Sequence, residues 1–172
     1  MNVMELEEFK STVLPLRDKL FRIAFCVTRS REEAEDVVQD VMLKVWDNSG
    51  GFEGVKSMEA YCCMMTRNMS LGRLALKGNH TEELNGEQVS VGAVELPSER
   101  VEKEESLRML RKLIARLPEA QRMVVQLRDV EGMSYQEIAR TLEVSEEWVK
   151  VNLFRARREI KGLYLKIENY GL

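Results

Sequence analysis

At 172 residues with 44% hydrophobic content, the chain suits one or two small domains with true cores. Aromatics are few at 6%, strand-type alternation is absent, and Leu, Met, Ala, Glu, Arg and Lys dominate, which predicts an all-α protein. The net charge of −3 is uninformative until divided by region, and no apolar run reaches the roughly eighteen residues of a membrane span.

The first predicted element is a short helix near residues 5–13, stopped or redirected by Pro15. From Leu16 the apolar positions Leu16, Leu20, Ile23, Ala24 and Val27 make a helical stripe. Ser30 and Glu33 have capping-box spacing and predict a helix from Arg31. Ala34, Val37, Val38, Val41, Met42 and Val45 form its inward stripe. Its reverse face carries Glu32, Asp36, Gln39, Asp40 and Leu43, again at helical spacing. Spacing alone leaves two readings open, solvated surface or a docking strip for a basic protein. Asn48-Ser49-Gly50-Gly51 ends this helix, and another is predicted over residues 57–77. Met58, Tyr61, Cys62, Met65 and Met69 give its expected buried stripe; Arg67, Arg73 and Lys77 are its only cations.

Periodicity disappears from Gly78 to about Pro97. Between Asn79 and Glu105 eight acidic residues stand against Arg100 and Lys103, which reads as a flexible acidic tether between two domains. A helix near Glu99 follows, with the stripe Leu107, Leu110, Leu113, Ile114 and Leu117. Pro118 is placed to start the next helix, which ends at Gly132. Ser134 and Glu137 form a capping box for a short helix with Ile138, Ala139 and Leu142 on one face. The turn Glu143-Val144-Ser145 leads to a second helix capped by Ser145, with Val149, Leu153, Ala156 and Ile160 inward. Glu143 stands where a left-handed residue, usually Gly, is expected. Lys150, Asn152, Arg155, Arg157 and Arg158 are assigned to the outer face. Two capped helices joined by a three-residue turn, the second basic outside, predict a helix-turn-helix that sets its second helix in a major groove. From Ser106 onward there are thirteen Lys/Arg and nine Asp/Glu; before Asn79 there are eleven and twelve. The positive surplus therefore sits with the motif, as phosphate contact requires.

Cys26, Cys62 and Cys63 lack zinc-ligand spacing and His80 is the single histidine, so no metal or cofactor is expected. The thiols read as small core hydrophobes. No nucleophile–His pairing or Gly-rich phosphate loop is present, so no enzymatic activity is expected. The absence of a signal peptide and of an apolar span predicts a cytoplasmic protein that does not insert in a membrane.

Taken in order, these segments resemble the extracytoplasmic-function (ECF) sigma factors, the small two-domain members of the sigma-70 family, over nearly the whole chain. EEAEDVVQDVMLKVW (Glu32 to Trp46) resembles the family's core-polymerase-binding helix. RNMSLGRL (Arg67 to Leu74) is similar to its element for the upstream edge of the melted promoter. The stretch from Leu117 to Ile160 is similar to its second DNA-binding region. The resemblance implies residues 1–78 as a domain for core binding and for −10 recognition and melting. Residues 79–101 would be the linker and 102–172 the helix-turn-helix domain for the −35 element. It assigns Asp36, Gln39, Asp40 and Leu43 to core polymerase, and Arg67, Asn68, Arg73 and Lys77 to −10 DNA. Lys150, Asn152, Arg155, Arg157 and Arg158 fall to −35 DNA, with Lys150 and Asn152 on base edges. The expected partners are core RNA polymerase, promoter DNA and an anti-sigma factor, with the free chain a monomer. Two departures stand out: the helix after Asn68 is poor in cations, and Glu146, Glu147, Val151 and Asn152 replace small or basic residues in the recognition helix. A dimeric helix-turn-helix regulator binding an operator is the competing expectation, but it leaves the acidic helix and tether without a role.

Overall fold

Eight α-helices make up the computed structural model over the residues it describes, 4–48, 50–52, 54–78 and 98–170, the side chains of 98–103 and 170 excepted. No strand occurs among these residues. Helix α1 (Leu6–Thr12) runs into a 3-10 turn (Leu14–Leu16) that holds Pro15, as the sequence predicts. Helix α2 (Arg17–Thr28) ends at Arg29, which is left-handed at φ 55°. Ser30 then caps α3 (Arg31–Asp47) by accepting from the Glu33 N–H at 3.3 Å.

That cap is only half of the expected box. The Glu33 carboxylate turns away to Arg73 and Lys77 instead of returning to Ser30, whose own N–H finds the Thr28 hydroxyl at 3.4 Å. Cation pairing competes with a local hydrogen bond here, and the pairing wins.

Helices α2, α3 and α4 (Met58–Gly78) pack on one another around Leu20, Ile23, Ala24, Val27, Val37, Val41 and Val45. Met42 is only half-buried at the rim. The expected stripe on α4 needs correction. Its fully buried positions are Cys62, Cys63, Thr66 and Ser70, with Met58, Tyr61, Met65 and Met69 half-buried beside them. Two hydroxyls tolerate this because each donates to the carbonyl four residues back, Thr66 to Cys62 at 2.7 Å and Ser70 to Thr66 at 2.7 Å. Small side chains there let α2 and α3 approach closely. All three cysteines are buried and free, and burial pushes Cys62 up to about 11 and Cys63 to about 12. They are thiols in a core, as the sequence implies.

The expected acidic tether lies mostly outside the described residues, as does His80. Its last positions, 98–101, belong to α5 (Ser98–Ala115) and not to a linker. Leu113 and Leu117 are buried, but Leu107 and Leu110, expected inward, are 49% and 41% exposed. Helix α6 (Glu119–Val125) starts after Pro118 and continues into a wider turn, Gln126–Val130, where Glu131 N–H bonds Gln126 C=O five residues back. Gly132 follows at φ +70°, a conformation that favours glycine. Then come α7 (Tyr135–Leu142) and the long α8 (Glu146–Tyr170), with Ile138, Leu142, Val149, Leu153 and Ala156 buried.

The two halves touch. Helix α2 packs on α6 and α4 on α7, so the buried residues form one continuous cluster. At the seam the Arg22 guanidinium grips Glu131 with two bonds, 2.7 and 2.9 Å, and Gln126 donates to the same carboxylate at 3.0 Å. The Glu131 side chain is 3% exposed, so these bonds replace its water. Arg122 donates to the Cys26 carbonyl at 3.0 Å, and Arg29 donates to the Ala115 carbonyl.

Candidate nucleic-acid and protein interfaces

The helix-turn-helix is built by reciprocal capping. Ser134 Oγ accepts from Glu137 N–H at 3.1 Å, and Glu137 Oε2 accepts from Ser134 N–H at 2.7 Å. That backbone bond holds Glu137 below the usual carboxylate range. Glu143 is left-handed at φ 58°, costing on the order of 1 kcal/mol relative to Gly, and Ser145 Oγ accepts from Trp148 N–H at 3.1 Å to start α8.

The outer face of α8 differs from the sequence reading in two places. Asn152 is buried, 9% exposed, beside Val149, Leu153 and Ala156, and its amide donates to the Trp148 carbonyl at 2.9 Å. It is three residues after Val149 and four before Ala156, so helical spacing places it on the inner side. That bond and its burial turn the amide away from the outer face. Arg157 is exposed, but its guanidinium is held by Asp129, at 2.5 and 3.3 Å. Lys150, Arg155 and Arg158 are exposed, and Lys150 sits 5.8 Å from the centre of the Tyr135 ring, which Arg128 also covers at 4.7 Å.

Between these cations stand two apolar residues the site assignment left out. Val151 is 45% and Phe154 66% exposed. Phe154 shares a shallow groove with Tyr135, Lys150, Arg157, Arg158 and Lys161. The signal was available in the sequence: at about 100° per residue Val151 lies nearly opposite Val149 and Leu153, and Phe154 lies about 140° round from Val149. An exposed aromatic among cations suits a thymine methyl or the edge of a base stack.

On the other half, α3 presents Asp36, Gln39 and Leu43 to solvent, with Asp40 partly covered. On α4, Asn68 is exposed and its Oδ1 accepts from Arg67 at 3.1 Å. Arg73 lies between the two faces. Nη1 is 3.0 Å from Glu33 Oε2 and 3.6 Å from Asp36 Oδ2, and Nη2 is 2.8 Å from Asp40 Oδ2. Lys77 Nζ is 2.6 Å from Glu33 Oε1. The sequence separates these residues into an acidic docking strip and two DNA cations, whereas the fold joins them. Glu33 consequently sits below the ordinary carboxylate range, its bonds to Lys77 and Arg73 being the cause. No cluster of His, Cys, Asp or Glu able to hold a metal occurs among the described residues, and no described helix is long and apolar enough to cross a membrane.

The family model for Sigma-70 region 2 matches residues 13–78, and that for Sigma-70, region 4 matches residues 107–160. The chain is 30% identical to the ECF RNA polymerase sigma factor SigM of Mycobacterium tuberculosis over 146 residues, 84% of this chain and 71% of that one. It is 25% identical over 162 residues to the RNA polymerase sigma-H factor of Pseudomonas aeruginosa, covering 88% and 83% of the two chains. In fold it is similar to the sigma factor RpoE of Bartonella quintana, solved in complex with the anti-sigma factor NepR, at TM-score 0.71 and 22% identity over 92% of this chain and 98% of that one. The chain therefore belongs to the ECF family of RNA polymerase sigma factors, non-enzymatic initiation factors, and is an alternative sigma factor that directs promoter-specific transcription.

Proposed function

We propose that residues 1–78 bind core RNA polymerase through Asp36, Gln39, Asp40 and Leu43 and open the −10 element at Asn68, while residues 102–172 read the −35 element with α8. The observation that carries this is the pairing of an exposed anionic face on α3 with an exposed cationic and aromatic face on α8, in one chain that contains both sigma regions. Asn68 keeps its amide N–H groups available while Arg67 fixes its carbonyl, so it can hold the edge of an unstacked base, at an unstacking cost of a few kcal/mol. Lys150, Arg155 and Arg158 supply phosphate and base contacts. Asn152 takes no part in base reading, and Val151 and Phe154 take its place.

The chain acts as a cytoplasmic, non-enzymatic monomer. Release from an anti-sigma factor controls it, a reading supported by the fold it shares with a sigma factor solved in such a complex. In vitro transcription tests the assignment. Core polymerase plus this chain should give a defined start on a promoter library that core alone does not use. A stable dimer in gel filtration that binds duplex DNA without core and gives no such start would refute it in favour of an operator-binding regulator.

A further inference from the structure

Arg73 and Lys77 on α4 and Glu33, Asp36 and Asp40 on α3 form one network of two cations and three carboxylates. The carboxylates lie three and four residues apart, so they share a face, and one guanidinium spans all three. The members are not equally fixed. Glu33 is the anchored end: its side chain is 20% exposed, it is held by both cations, and its N–H is tied to Ser30. Asp36 and Asp40 are the loose end, with side chains 52% and 44% exposed. Pairs that wet contribute little each, so their partners exchange easily.

We propose that Arg73 is an internal competitor for the acidic strip. In the free chain its guanidinium occupies Asp36 and Asp40, and a basic polymerase surface that takes those carboxylates releases Arg73 toward promoter phosphates. This rests on the reading of α3 as the polymerase-docking helix. The coupling is reciprocal. A phosphate that draws Arg73 away leaves the strip more anionic, so DNA contact strengthens polymerase docking and docking strengthens DNA contact. The cation-poor helix after Asn68 would thus gain its phosphate contact chiefly once the polymerase is bound.

Four chains measured by competition for core polymerase at low salt decide the matter: wild type, Arg73→Gln, Asp36→Asn with Asp40→Asn, and all three changes together. Arg73→Gln should bind core at least about fivefold more tightly, the lower end of ordinary coupling, because the competitor is gone. The gain should vanish in the Asn background, and Arg73→Lys should restore wild-type affinity. In the holoenzyme, Arg73→Gln should lower the salt slope of promoter binding by about one unit. If Arg73→Gln weakens core binding and lowers the melting temperature, Arg73 only props α3 against α4 and the proposal fails. It also fails if core affinity or the salt slope is unchanged. The Asp36→Asn, Asp40→Asn chain reads the docking assignment separately: undiminished core affinity there refutes α3 as the docking face, whatever Arg73 does.

Discussion

Arg157 and Arg158 are adjacent arginines on one exposed helix, and they should behave differently on DNA. Arg157 is gripped by Asp129 at 2.5 and 3.3 Å, whereas Arg158 makes no ion pair among the described residues. Asp129 holds the Nε–Nη2 edge of Arg157 and neutralises its charge, so the counterion released on binding should come from Arg158. One phosphate contact contributes a slope of about 0.9 in log affinity against log salt. Across the fourfold span from about 50 to about 200 mM salt, that is about 3.5-fold in affinity. Arg158→Ala should therefore reduce the slope by about 0.9 on cognate and scrambled −35 duplexes alike. Arg157→Ala should leave the slope alone. It should cost about 0.2–1 kcal/mol of stability, because its side chain and that of Asp129 are 53% and 38% exposed. Asp129→Asn should do the opposite, freeing Arg157 and steepening the slope. Binding isotherms at several salt concentrations, with thermal melts of each variant, read all three. If Arg157→Ala flattens the slope as much as Arg158→Ala, the Asp129 pair does not withhold Arg157 from DNA and the reasoning is wrong.

Phe154→Ala should leave the melting temperature unchanged, since the ring is 66% exposed, yet weaken the cognate −35 duplex by roughly 1–3 kcal/mol relative to a scrambled one; equal weakening of both refutes base contact. Glu33 has a folded value depressed below the ordinary 4.5, so its pairing stabilises the chain above that pH and the gain is lost as the pH falls through the depressed value. Urea titrations should accordingly show Glu33→Gln less stable than wild type at neutral pH, with the gap closing as the pH falls below 4.5, and a constant gap would contradict the pairing. Glu131→Gln should loosen the seam between the halves, because Arg22 and Gln126 lose a buried carboxylate. On the proposed assignment of the two halves to the −10 and −35 elements, about 25 base steps or roughly 85 Å lie between their sites, against a radius of gyration of about 16 Å for a packed chain of this length, so the seam should open on a promoter. Fluorescence transfer between dyes on α1 and α8 should report longer distances for Glu131→Gln, and an unchanged distribution would show that the Arg22 grip does not hold the seam.

The eight helices, the Ser134–Glu137 and Ser145 caps and the helix-turn-helix follow from the sequence, because they depend on neighbours within about four residues; the Ser30–Glu33 box, which a distant cation could reach, formed only in half. Ser134 with Glu137, Ser145 and the left-handed Glu143 could be placed from spacing and backbone preference alone. The same arithmetic turns Asn152 inward and Phe154 outward, so that correction too is local in origin. Which charges are already taken depends instead on the tertiary fold. Arg73 meets carboxylates 33 to 40 residues away, Arg157 one 28 away, and Arg22 one 109 away. It also decided that Thr66 and Ser70, polar in the sequence, are core residues on α4, since their hydroxyls are satisfied within the helix while their small size admits α2 and α3. Pairing across helices depends on how two elements cross, and crossing is set by the packing of the whole core, which no local pattern in the chain encodes.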